Sequence, residues 1–148
     1  GPLLRPFAAT LTGVDLSHNM IDAARRTGAY DALACAELCA YLRQSPESFD
    51  VVNAADVLVY LGDLGPVFGA VASSLRADGL FAYSVEAAAG EEYVLNASGR
   101  YAHGEDYLRQ LAARHGFEVL SLTRHSLRRD RSGDIEGYVA VMRSVRRP

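Results

Sequence analysis

The chain has 148 residues, 49% apolar and 22% charged, the make-up of a soluble globular protein with room for one cored domain. A net charge of −3 argues against nucleic acid as the main partner, and no apolar run suits a membrane span or a secretion signal. Cys35 and Cys39 form no disulfide framework and are too few for a structural zinc site, so reduced thiols and a cytoplasmic setting are expected.

Gly1–Ala8 reads as the tail of a helix and a turn. A strand around Ala9–Val14 follows and ends at Asp15. Ser17 then suits an N-cap, and residues 19–27 read as a helix with Met20, Ile21 and Ala24 inward and Gly28 as its C-cap. Ala32–Ala36 reads as a short strand running into Glu37-Leu38. The apolar run that begins at Phe49 reads as a parallel strand buried on both faces. Leu64, Val67, Phe68, Val71 and Leu75 follow at helical spacing, with Asp63 as N-cap and Gly79 as C-cap. Leu80–Val85 is a second buried strand, ending at Glu86.

Residues 87–103 show no period and read as a long loop, mobile and bearing on function. A helix over about 105–115 puts Tyr107, Leu108, Leu111 and Ala112 on one face and ends at Gly116. Strands 117–124 and 136–143 close the chain as an antiparallel pair joined by a turn over 128–134. Residues 124–147 carry seven Arg against Asp130, Asp134 and Glu136, the pattern of a solvated hairpin, and the chain has no Lys. The alternation predicts an α/β fold, a mainly parallel doubly wound sheet with an antiparallel end pair, in a single domain over 1–148.

Asp15 is the chemically pointed residue. Ligands of open α/β sheets bind at the carboxyl ends of strands, where a lone carboxylate suits the two hydroxyls of a ribose. The plainer alternative is that it caps the helix, and a Met in the first turn of a helix, as Met20 is, is usually core filler.

Asp15-Leu16-Ser17-His18-Asn19-Met20 resembles the second motif of class I S-adenosylmethionine-dependent methyltransferases. Phe49-Asp50-Val51-Val52 with Ala54-Ala55-Asp56-Val57-Leu58 resembles the family's fourth motif, and Leu75-Arg76-Ala77-Asp78-Gly79-Leu80 its segment after the next helix. Gly99-Arg100-Tyr101-Ala102-His103, with Tyr107-Leu108 and Gly116-Phe117, is similar to bacterial methyltransferases that follow tetratricopeptide repeats. The resemblance implies a Rossmann-like methyltransferase fold and S-adenosyl-L-methionine as cofactor. It puts Asp15 on the ribose, Leu16 and Met20 beside the adenine, and Glu37, Leu38 and Ala54 among further cofactor contacts.

The family's glycine-rich loop belongs about 20 residues before the acid, and counting back from Asp15 leaves the chain. The sequence thus reads as an N-terminally incomplete domain without the first strand. Weak or absent binding of S-adenosylhomocysteine is expected of these residues by themselves. In the family the missing strand lies between the strand carrying Asp15 and strand 49–54. Those two strands are therefore expected to pair directly, to be bridged by another chain, or to be completed by upstream residues.

Methyl transfer from a sulfonium asks the protein mainly to orient the partners and exclude water, with a base for hydroxyl or ammonium acceptors. Asp56, Tyr60 and His103 are the catalytic candidates, His103 by its pKa, although a loop histidine is more often a bystander. Glu86 and Tyr101 are candidates for acceptor binding, with pairing to an Arg as the plainer role for Glu86. No metal-ligand spacing or nucleophile elbow is present in the sequence. The expected partner is a small-molecule or protein side-chain acceptor, with no nucleic acid, no membrane and a possible homo-oligomer. The alternatives are a non-catalytic methyltransferase-like binding module and, more remotely, an NAD(P)-dependent oxidoreductase.

Overall fold

Ser17 accepts the Met20 amide at 3.4 Å, and Gly28 turns left-handed (φ 65°), so the first helix has both of its caps. The computed structural model describes residues 1–90, 92–130 and 133–145. They form two units, 1–44 and 45–148.

In the first unit, a 3₁₀ turn at Arg5–Phe7 leads to β1 (Thr12–Asp15), α1 (His18–Thr27), β2 (Ala32–Cys35) and α2 (Leu38–Arg43). β1 and β2 pair in parallel with Asp15 opposite Cys35. Ile21, Ala29, Cys39 and Leu42 form the small core. Arg5 braces the entry by bonding the Asp31 carboxylate at 2.5 Å and the Ala8 and Ala9 carbonyls. Asp31 in turn accepts the Leu11 amide at 2.7 Å. Two expectations are corrected here. Met20 is not inward but 57% exposed, and a helix, α2, follows Glu37 where none was expected.

In the second unit, β3 (Phe49–Ala54), a 3₁₀ turn at Leu58–Tyr60, α3 (Gly65–Ser74) and β4 (Leu75–Ala87) run in succession. β5 (Tyr93–Leu95), β6 (Tyr101–His103), α4 (Glu105–Arg114), β7 (Phe117–Asp130) and β8 (Gly133–Ser144) follow. β4 is central. Its Leu80–Tyr83 stretch has β3 parallel on one edge and β8 antiparallel on the other. Glu86 pairs with Gly137 of β8 and also with Ala102 of β6. β6 therefore shares the β3 edge, further along. β5 lies outside β6, and β7 outside β8, both antiparallel.

The helical stripe of α3 is as the spacing predicts, since Leu64, Val67, Phe68, Val71 and Leu75 are at most 2% exposed. Phe68 packs edge-on against Phe81, Tyr83 and Phe117, with ring centroids 5.4–5.9 Å apart. Burying one such ring is worth about 1.5–3 kcal/mol. The α4 face Tyr107, Leu108, Leu111 and Ala112 is buried as predicted.

Gly79 is not the cap of α3, which ends at Ser74 with Leu75 as its C-cap; it lies inside β4. There a Cβ would press on the Arg76 and Asp50 carbonyl oxygens. β3 is not buried on both faces, for Val51 is 55% exposed, and among the described residues β3 pairs with β4 alone. Segment 87–103 is not a structureless loop. It contains β5 and β6, and it buries Ala102 and His103. The closing hairpin is longer than expected, pairing from Phe117 opposite Ser144 to Asp130 opposite Gly133. Of the expected turn, Arg131 and Ser132 lie outside the described residues, as do Arg146 and Arg147 of the Arg-rich stretch.

Candidate functional site

At the carboxyl ends of β3 and β4 a charged cluster assembles from segments far apart in sequence. Glu86, one residue from the end of β4, is 4% exposed. Its Oε1 accepts Arg100 Nε at 2.9 Å and an Arg128 guanidinium nitrogen at 2.7 Å, while Oε2 accepts Asn96 Nδ2 at 3.3 Å. A buried carboxylate is tolerated only with such partners. Arg100 and Asn96 come from the turn between β5 and β6. The turn is closed by Asn96 N to Arg100 O and by Gly99 at φ 78°. Arg128 follows a register shift in β7 between Ser126 and Arg128, a bulge of the kind that re-aims a side chain.

Arg100 also donates to Asp56 and, at 3.1 Å, to the Tyr60 hydroxyl, with its guanidinium 5.1 Å from the Tyr60 ring centroid. Burial works against the Arg100 cation, but Asp56 and Glu86 outweigh it and raise its pKa. Asp56 stands just past β3 in the left-handed region (φ 57°), its amide donating to Ser84 Oγ at 3.0 Å. Its side chain is 68% exposed. Leu58 and Val59 anchor the 3₁₀ turn in the core and leave Tyr60 at the surface.

Of the residues singled out from sequence in this unit, Asp56, Tyr60 and Glu86 come together. Tyr101 packs edge-on to Tyr93 (6.2 Å) over Gly62, outside the cluster. Ala54 is buried at the end of β3, opposite Tyr83. His103 is corrected from a loop base to a core residue. It has no exposure, and its Nε2 lies 3.0 Å from both the Leu61 and Gly62 carbonyl oxygens. That geometry places the proton on Nε2, and burial pushes the pKa below its ordinary value. Its ring stacks on Tyr107, whose hydroxyl accepts the Leu64 amide and donates to Asp63; burial pushes the Tyr107 pKa up to about 12. Together the two rings fasten the segment that follows Tyr60.

Arg100 and Arg128 were missed from sequence. The available signal was the acid itself. A carboxylate ending a buried strand calls for a charged partner, and in a chain without Lys the permanent side-chain cations are all Arg.

An open cleft of about 490 Å³ lies by the N-terminus of α4, lined among others by Glu92, Glu105, Asp106, Gln110 and Arg124. It is polar, and the cluster residues are not part of its lining.

In the first unit, Asp15 ends β1. Its Oδ1 accepts the Ser17 amide at 2.7 Å, a turn bond that steadies the cap residue Ser17 and uses one oxygen. Leu16 is 74% and Met20 57% exposed beside it. Two large apolar side chains held in solvent next to a strand-end carboxylate suit an adenosine, and a core-filling Met20 does not match this exposure. Glu37 caps α2 with both oxygens, at 2.8 Å from Cys39 N and 2.7 Å from Ala40 N, and these amides hold its pKa down. Each oxygen keeps a second lone pair. Leu38 begins α2, half-buried.

Residues 1–81 match the family described as a methyltransferase domain. No curated protein matches the chain. The solved structures it resembles include an S-adenosylmethionine-dependent methyltransferase from Methanosarcina mazei, 16% identical with a TM-score of 0.77, covering 98% of this chain and 86% of that one. A second is the 1,6-didemethyltoxoflavin-N1-methyltransferase of Burkholderia thailandensis, solved with its namesake compound and S-adenosylhomocysteine. It is 20% identical with a TM-score of 0.72, over 91% of this chain and 61% of that one. A third is the cyclase SpnF, 17% identical with a TM-score of 0.74, over 97% and 69%. The α/β architecture is thus the Rossmann-like methyltransferase fold, with its antiparallel closing pair β7–β8. The chain belongs to the methyltransferase-domain family.

Proposed function

We propose that this chain takes part in methyl transfer from S-adenosylmethionine to a small-molecule acceptor. Asp15 holds the ribose hydroxyls through the oxygen that Ser17 leaves open. Leu16 and Met20 cover the adenine, and Glu37 and Leu38 add cofactor contacts. When bound, the cofactor supplies an activated methyl group; the chain's own part is to orient the acceptor and exclude water. On the acceptor side stand Asp56, Tyr60 and Glu86, joined by Arg100 and Arg128. The buried His103 positions the segment after Tyr60 instead of taking a proton. The observation that carries the reading is the pair of exposed apolar side chains, Leu16 and Met20, beside Asp15.

The Burkholderia neighbour's small-molecule acceptor supports an acceptor of this size. The likeness to a cyclase shows that the fold by itself admits other reactions. Photo-crosslinking with radiolabelled S-adenosylmethionine tests the reading. The label is expected on the peptide containing Leu16–Met20 and is expected to be competed by S-adenosylhomocysteine. Label elsewhere, or label that S-adenosylhomocysteine leaves in place, contradicts it.

A further inference from the structure

We infer that the cluster at the end of β4 recognises a carboxylate on the methyl acceptor, and that Asp56 stands where that carboxylate binds. The inference rests on the acceptor reading above and narrows it to a chemical class.

The charges argue first. Glu86 is buried and takes a nitrogen from each of two guanidinium groups, Arg100 and Arg128. One negative charge cannot neutralise two cations, and among the described residues the remainder is met by Asp56. Unlike Glu86, Asp56 is exposed. It projects from a residue at positive φ, and the only hydrogen bond to its side chain shown among the described residues comes from Arg100. Arg128 approaches the same Asp56 oxygen but stops at 3.9 Å, beyond hydrogen-bond reach. Two guanidinium groups thus converge on one replaceable carboxylate while being held from behind by a fixed one.

The geometry argues second. Guanidinium forks match planar carboxylates in two-point contacts, so Arg pairs are built for this ligand more than for an amine or a neutral amide. Glu86, itself held by Asn96, fixes the guanidinium planes beforehand, which lowers the cost of binding. Beside them Tyr60, 61% exposed, offers an aromatic wall to the body of the acceptor. An amine acceptor would meet two cations here, with both acids already engaged.

The test needs neither cofactor nor turnover. Benzoate, benzamide, benzylamine and phenyl phosphate are titrated into the protein, followed by NMR chemical shifts. Benzoate is expected to saturate at millimolar concentration and to shift the Arg100 and Arg128 side-chain resonances. Asp56→Asn, at an exposed position, removes the competing charge and is expected to tighten benzoate about tenfold; Arg128→Gln is expected to weaken it by about as much. The inference falls if benzamide or benzylamine binds as well as benzoate, if phenyl phosphate is preferred, if benzoate fails to saturate, or if Asp56→Asn leaves its affinity unchanged. Because S-adenosylmethionine is absent from these titrations, such a failure leaves the methyl-transfer reading standing.

Discussion

The His103 ring is wholly buried with Nε2 between two carbonyl oxygens, so the folded protein holds it neutral. Its folded pKa lies below the ordinary 6.5 because burial penalises the cation. Above that pH both folded and unfolded forms are neutral and the residue adds no pH dependence. As the pH falls below about 6.5 the unfolded chain takes up a proton that the folded chain refuses. Stability then drops with a limiting slope of about 1.4 kcal/mol per pH unit for one group. Denaturant unfolding between about pH 7 and 5 is expected to show this loss in the wild type and a shallower one in His103→Gln. His115, also lowered by burial, and the carboxylates are common to both proteins. Equal slopes would mean that His103 charges freely. A residue held neutral by burial and pinned to backbone oxygens suits bracing better than proton transfer.

Elements meet most tightly where β8 crosses the end of β4. Gly137 pairs with Glu86, and a Cβ there would overlap the Val85 carbonyl oxygen as well as the Leu127 side chain. Leu127 can rotate, but the Val85 backbone is locked in the sheet. Gly137→Ala is therefore expected to cost about 1–3 kcal/mol, the range for overpacking a filled interior, and to loosen the strand that carries Glu86. Thermal unfolding checks it, and an unchanged midpoint would show that the crossing has slack.

The elements legible in the sequence were those with many turns or clean caps. α1 showed Ser17 and Gly28, α3 and α4 showed five- and four-residue apolar stripes, and β7–β8 showed two runs of strand formers. Those missed were too short to show a period. α2 has six residues and buries only Cys39 and Leu42, while β5 and β6 have three residues each. Asp78-Gly79 reads as a helix stop but is a kink within β4, because local chemistry cannot tell the two apart. At the site, Asp56, Tyr60 and Glu86 were visible as polar residues at or just beyond strand ends. Arg100 and Arg128 were not, since Arg100 meets Glu86 and Asp56 from 14 and 44 residues away and Arg128 meets Glu86 from 42, and the sheet order brings them close.

At the scale of the molecule, the chain presents two sets of groups, each complete within its own unit. The first offers a strand-end carboxylate with exposed apolar neighbours. The second offers guanidinium groups held by a buried acid. No described helix is long and apolar enough to cross a membrane. The cofactor reading proposed above rests on the exposed Leu16 and Met20 beside Asp15. The most direct measurement is calorimetric titration of S-adenosylhomocysteine into the full natural chain, as wild type and as Asp15→Ala. Loss of a hydrogen-bonding carboxylate is expected to weaken binding by about 1.5–3 kcal/mol, with the fold unchanged by circular dichroism. Undiminished affinity in the folded variant would contradict the ribose role of Asp15, and with it the central claim.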